Sequence, residues 1–170
     1  MTELSFVDTN VLVYAHDSNL TSKRVAAAEL LTRLWKERTG RASMQVLSEF
    51  YATVTKKLRP AMHADKAWDS VQSLLAWDPQ PIDREILIAA RTIEQRYRTS
   101  WWDATIVAAA QAQRCKVLLS EDFQDGMEFG QLRVRNPFVQ QVQESRVESP
   151  VTITPRPRHR PRGRPAKVAL

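Results

Sequence analysis

Two short apolar runs that each lead to an acid, with helical stretches set between them, limit the possible folds of this chain more than any other feature. Leu4-Ser5-Phe6-Val7 closes on Asp8, and Lys116-Val117-Leu118-Leu119 leads through Ser120-Glu121 to Asp122. Strands separated by helices of about 10–15 residues predict an α/β domain with a parallel sheet, because parallel neighbours need a long crossover between them. Such sheets place ligands beyond the carboxyl ends of their strands, which is where Asp8 and Asp122 fall.

The pattern assigns a first strand near Leu4 to Val7, turning at Asp8 into a short helix through Val11 to Tyr14. A long helix is expected from about Ser22 to Thr39, with Val25, Ala28, Leu31, Leu34 and Trp35 on one stripe and Gly40 as its stop. Arg41 to Ser43 reads as a second short strand, and Ser43 is placed to cap a helix from Gln45 to Lys57. Another helix covers roughly Ala64 to Ala76, and Pro79-Gln80-Pro81-Ile82 makes an extended crossing. Asp83 then caps a helix reaching about Tyr97. Trp101 to Arg114 is helical, Lys116 to Leu119 a strand, and Gln131 to Arg135 a last short strand before Asn136-Pro137-Phe138.

Two further acids join Asp8 and Asp122. Glu49 lies in Gln45-Val46-Leu47-Ser48-Glu49-Phe50-Tyr51, and Asp103 opens an alanine-rich helix after Ser100-Trp101-Trp102. On that helix Asp103 shares a face with Ile106, Val107 and Ala110, the face expected to pack on the sheet. Singly, each acid has a plain structural reading. Asp8 can be an N-cap, Glu49 a rim residue, Asp103 an acid favoured by the helix dipole, and Asp122 a turn acid that Glu121 or Asp125 could replace. As a set they lie at element ends against apolar segments, where acids are costly to bury without a compensating cation. A domain that gathers Asp8, Glu49, Asp103 and Asp122 is expected to hold a hard divalent metal. Oxygen-only ligands select Mg²⁺ or Mn²⁺ over zinc, and His16, His63 and His159 are too scattered to compete.

Charge divides the chain in two. All 19 acids lie at or before Glu148, while six of the 25 bases lie beyond it, leaving 19 bases to balance the acids of the body. The whole excess of +6 therefore belongs to the end of the chain. From Ser149 onward, five of the nine prolines interleave with arginines and no acid or aromatic residue occurs. Such a stretch is read as disordered or polyproline-like, giving a folded domain over 1–139 and a linker with a basic Arg/Pro-rich tail over 140–170. Pro161-Arg162-Gly163-Arg164-Pro165 resembles the core of an AT-hook, whose glycine lets flanking arginines enter the minor groove of A·T-rich DNA. A general grip on RNA or DNA phosphates competes with that reading, as does an inert extension. The single Cys115 excludes an intramolecular disulfide and a cysteine-rich zinc site, and it reads as a small buried residue. No apolar run approaches a membrane span, and Glu3 and Asp8 stand where a signal peptide would be basic, so the cytoplasm is the expected compartment.

Taken in order, Phe6-Val7-Asp8-Thr9-Asn10-Val11-Leu12, Gln45-Val46-Leu47-Ser48-Glu49-Phe50, Ser100-Trp101-Trp102-Asp103-Ala104 and Leu118-Leu119-Ser120-Glu121-Asp122 resemble the PIN-domain ribonucleases. Among these the VapC-type toxins are the nearest pattern, and Asn136-Pro137-Phe138 closes the similar region. The resemblance covers Met1 to about Val139 and implies a three-layer α/β/α sandwich with a central, mainly parallel sheet. It carries the family's catalytic, metal-holding acids onto Asp8, Glu49, Asp103 and Asp122. Ser120 stands two positions before the last acid, where the family has Thr or Ser, and Thr9, Asn10 and Asp125 are further candidates to orient the site. The implied reaction is Mg²⁺- or Mn²⁺-dependent hydrolysis of RNA phosphodiesters, leaving 5′-phosphate and 3′-hydroxyl ends. The same resemblance implies a cognate antitoxin and a homodimer.

A net-neutral body must concentrate positive charge locally to hold RNA, and Lys56-Lys57-Leu58-Arg59 and Arg96-Tyr97-Arg98 are candidates. Trp101 and Trp102 invite base stacking, although neighbours on a helix point in different directions and at least one belongs to the core. The competing reading is a PIN-like binding module with idle acids, in which Arg162, Gly163 and Arg164 make the nucleic-acid contact. A haloacid-dehalogenase-like phosphatase fits less well, since Asp8-Thr9-Asn10 lacks the second Asp two positions on.

Overall fold

The computed structural model describes residues 3–139; the Arg/Pro-rich segment, with Arg162, Gly163 and Arg164, lies outside the described residues. Five strands form one sheet in the order β2-β1-β3-β5-β4. These are β1 (Ser5–Val7), β2 (Gly40–Arg41), β3 (Val117–Leu119), β4 (Glu128–Phe129) and β5 (Leu132–Arg135). All neighbours pair in parallel except β4, which runs antiparallel to β5. Consecutive residues on the two central strands are buried, Phe6 with Val7 and Leu118 with Leu119, so helices cover both faces of the sheet there. On β5 the pattern alternates, with Leu132 and Val134 buried and Arg133 and Arg135 exposed. The architecture is therefore the expected α/β sandwich with a mainly parallel sheet.

Six helices connect and flank the strands. They are α1 (Thr9–Tyr14), α2 (Thr21–Glu37), α3 (Met44–Lys56), α4 (Ala64–Leu74), α5 (Arg84–Tyr97) and α6 (Trp101–Ala112), with a short 3₁₀ turn at Leu75–Trp77. Their starts follow side-chain chemistry. Ser43 Oγ accepts from the Val46 N–H at 3.3 Å, Asp83 from Ile86 at 3.0 Å and Ser100 from Asp103 at 3.1 Å. Helix α6 is small and apolar along its length, with every residue from Ala104 to Ala110 buried.

Three sequence expectations need correction. On α2 the buried stripe is Ala27, Leu30 and Leu34, while Val25 and Trp35 are 47% and 46% exposed. Apolar residues occur on adjoining faces of this helix, so a period of 3.6 fits two stripes about one position apart. Trp35 instead approaches Trp77, with ring centroids 5.9 Å apart. The helix ends at Arg38, which adopts a left-handed conformation at φ 56°, so Gly40 is not its stop. Gly40 opens β2 because its missing Cβ makes room for Trp77; a Cβ there would meet the buried indole at 2.5 Å. Replacing Gly40 with Ala is expected to destabilise the domain by about 1–3 kcal/mol through overpacking, read as a lower urea midpoint with unchanged slope. The third correction is β4, which had no recognisable run of its own and forms a hairpin with β5 through Gly130 at φ 65°.

Candidate functional site

The parallel pairing of β1 and β3 brings two chain ends together. Val7 lies opposite Leu119, so Asp8 and Ser120, the next residues on each strand, leave the sheet side by side. Asp8 is 3% exposed and caps α1, with Oδ1 accepting from the Thr9 N–H at 2.6 Å. Its Oδ2 accepts from the Ser120 hydroxyl at 2.6 Å. Ser120 Oγ in turn accepts from the Asp122 N–H and from Asn10 Nδ2, both at 3.1 Å. Asn10 Nδ2 also faces Asp122 Oδ2 at 3.0 Å and Asp8 Oδ2 at 3.4 Å. Thr9 Oγ1 donates to Glu49 Oε2 at 2.9 Å, which ties α1 to α3. Asp8, Glu49 and Asp122 thus stand in one network whose connecting groups are Thr9, Asn10 and Ser120.

Asp103 stands at the first turn of α6, half-buried, with Thr99 Oγ1 at 3.4 Å as its side-chain partner. Its link to Glu49 is indirect. Gln45 Nε2 donates to Glu49 Oε1 at 3.0 Å and to the Trp102 carbonyl at 3.5 Å. Asp125 faces elsewhere and accepts from the Asn136 N–H at 2.8 Å. Glu121 is also drawn away, by the Tyr14 hydroxyl and by Lys23 Nζ at 2.6 Å. That clamp explains why Asp122 and not its neighbour reaches the network. It joins residues 98 positions apart, so no local pattern announced it. Gln45 was more accessible to sequence reasoning, since it precedes Glu49 by one helical turn.

The electrostatics of Asp8 are unusual. Burial pushes its pKa up from 3.8 to about 6, with repulsion from Asp122 and Glu49 adding to the rise. The hydrogen bonds from Ser120 and the Thr9 N–H work in the opposite direction. Among the described residues no Lys or Arg forms an ion pair with Asp8, Glu49, Asp103 or Asp122. At neutral pH the pocket therefore holds negative charge without an internal counter-ion. Cys115, by contrast, is buried and its thiol is pushed up to about 12, which removes it as a nucleophile.

A hard cation suits these groups. The donors are carboxylate and amide oxygens, and Asn10 Oδ1 is shielded from solvent without a hydrogen-bond partner. Among the described residues no three His, Cys, Asp or Glu side chains converge tightly enough to cage an ion by themselves.

Of the basic candidates, Arg59 spends its guanidinium on the Lys56 and Leu58 carbonyls, at 2.9 and 2.7 Å. Lys56, Lys57, Arg96 and Arg98 are exposed. Trp101 is half-buried, and Trp102 is 64% exposed beside Asp103. No described helix is long and apolar enough to cross a membrane.

Residues 5–124 match the family model described as PIN domain. Among curated proteins none matches the chain significantly in sequence. Several solved structures share its fold, two of them as follows. A toxin–antitoxin complex from Klebsiella pneumoniae superposes with a TM-score of 0.58 at 21% identity, over 78% of this chain and 97% of that one. The Mycobacterium tuberculosis toxin VapC20, described as cleaving the sarcin-ricin loop, superposes with a TM-score of 0.52 at 16% identity, over 76% and 98%.

Proposed function

The chain belongs to the PIN-domain family, and from that membership we propose that it is a Mg²⁺- or Mn²⁺-dependent endoribonuclease, the toxin component of a toxin–antitoxin module. One observation carries this reading: Asp8 is buried in a network with Asp122 and Glu49, and among the described residues no Lys or Arg pairs with it. The hydrogen bonds only partly offset the burial of that carboxylate, and a cation joining it would stabilise the charged form further. Asp8, Glu49 and Asp122 would hold the ion, with Asp103 completing the acidic wall from α6. A bound ion would supply a Lewis acid for the scissile phosphate and a template that orients the attacking water.

The remaining work belongs to the protein groups. Ser120 and the Thr9 N–H hold the two oxygens of Asp8, so its carboxylate cannot swing away. Thr9 fixes Glu49 from one side and Gln45 from the other. Asn10 keeps its amide nitrogen toward Asp122 and Ser120, which leaves its carbonyl oxygen free to receive a donor such as an ordered water. The domain over 1–139 then carries the chemistry. The basic stretch over 140–170 adds a phosphate grip on RNA or a DNA contact through Arg162, Gly163 and Arg164. The similar fold found in a toxin–antitoxin complex supports an antitoxin as the partner; the homodimer is carried by the family resemblance alone.

The test is cleavage of total cellular RNA by the purified full chain in Mg²⁺ or Mn²⁺. Discrete cuts with 5′-phosphate ends that vanish in EDTA are expected. RNA left intact under every metal condition, by protein shown to be free of any bound inhibitor, overturns the assignment and favours a non-catalytic binding module.

A further inference from the structure

An apolar cleft opens beside the acid network, between the start of α6, the first turns of α3 and the start of α5. Its walls are Trp101, Trp102, Met44, Ile82 and Leu87, and Glu49 is the one charged residue along it. Trp102, Met44 and Leu87 are 64%, 43% and 42% exposed, an unusual concentration of large apolar surface on one side of a small domain. Glu49 belongs both to this cleft and to the acid network, so the two are continuous. Gln45 fastens them together, because its amide nitrogen reaches the Glu49 carboxylate and the Trp102 carbonyl at once. Both of those partners are acceptors, so the amide cannot be turned round, and Gln45 Oε1 is left buried without a hydrogen-bond partner.

On the ribonuclease reading above, we propose that Trp102 is a stacking platform for an unpaired RNA base next to the scissile phosphate, and that this cleft is the base subsite. The lining points to a base more than to the phosphate chain. It carries no Lys or Arg, so it does not attract phosphate, and it holds an exposed indole, a side chain of the kind on which single-stranded bases stack. A protein seated permanently on this surface would cover Glu49, which the proposed chemistry requires open. The base subsite therefore requires single-stranded substrate at the cut, because a base held in a duplex cannot reach the indole.

The test compares Trp102→Ala and Trp102→Phe, each on a surface position where folding does not depend on the indole. Binding of a short single-stranded RNA is measured by fluorescence anisotropy in an Asp8→Asn background, so that no cleavage intervenes. Salt of roughly 0.3 M weakens phosphate contacts made by the basic tail. Trp102→Ala is expected to weaken binding by about 5- to 100-fold, and Trp102→Phe to recover most of it. In the Asp8 protein the same change raises KM by a similar factor and redistributes the cut sites. Equal binding by Trp102→Ala and wild type overturns the subsite, whether or not the wild type cleaves RNA. An oligomer that dissociates in Trp102→Ala while RNA affinity holds also overturns it, and makes the cleft a protein interface. If the wild type never cleaves but Trp102→Ala still loses RNA, the nuclease reading fails and the stacking platform stands.

Discussion

Asp8→Asn is expected to lower metal-dependent RNA cleavage by roughly 10²- to 10³-fold or more while leaving the fold intact. The loss follows from charge. The amide keeps the shape of the carboxylate but cannot compensate a cation, and electrostatic stabilisation of this kind is commonly worth several kcal/mol in the transition state. The fold survives for separate reasons. Asn is as good an N-cap as Asp, so Oδ1 can still accept from the Thr9 N–H and start α1. The contact with the Ser120 hydroxyl weakens, but the buried negative charge that opposes folding is gone as well. A circular dichroism spectrum that matches the wild type and a melting transition that stays cooperative, beside abolished cleavage, are the expected results. Cleavage within a few-fold of wild type would show that Asp8 does not hold the ion. Should the variant fail to fold, Glu49→Gln provides the second trial, since Glu49 lies half-buried on α3 and caps nothing.

Asp8 also shows what could and could not be read before the structure. That it ends a strand was plain from Leu4-Ser5-Phe6-Val7, and that it sits beside Ser120 follows once β1 and β3 are taken as parallel neighbours. Both inferences use only local apolar runs and the geometry of parallel sheets, and these survive almost any change elsewhere. The starts of α3 and α5 were readable for the same reason, because Ser43 and Asp83 announce them within three residues. Side-chain partners across the fold were not. Nothing in the sequence near Glu121 says that Lys23 and Tyr14 will claim it, and nothing near Gly40 announces Trp77. The stripe of α2 failed on a subtler point. Periodicity gives the shape of an apolar face but not its rotation, and that rotation is set by the sheet it covers. Asp8, Glu49 and Asp122 stand in one network while Asp103 joins it only indirectly, and their different depths, with Asp8 buried and Asp122 exposed, come only from the packing around them.

That depth leads to the second large effect, a reversal of the usual pH dependence. Most paired carboxylates have lowered pKa values and lose their stabilising contribution in acid. Asp8 is raised from 3.8 to about 6, chiefly by burial, so its contribution has the opposite sign. Stability from this group is fully present below about pH 4 and is lost as pH rises through about 6. A shift of that size corresponds to at most about 3 kcal/mol lost by the metal-free domain between those limits. The difference in stability between wild type and Asp8→Asn isolates the effect, because the other acids titrate in both. It should be near its most favourable to wild type at pH 4 and fall steadily to pH 7. Metal reverses the trend, since an ion binds the carboxylate and must displace the proton where one is held. Added Mg²⁺ is expected to raise the melting temperature of the wild type at pH 7.5 and to do little at pH 5, with the transition near 6. Ser120→Ala should move that transition upward, because the Ser120 hydroxyl is the strongest group holding the Asp8 pKa down. An equal Mg²⁺ shift at pH 5 and pH 7.5, or one that persists in Asp8→Asn, would mean that the ion is held by other acids and that burial of Asp8 serves packing alone.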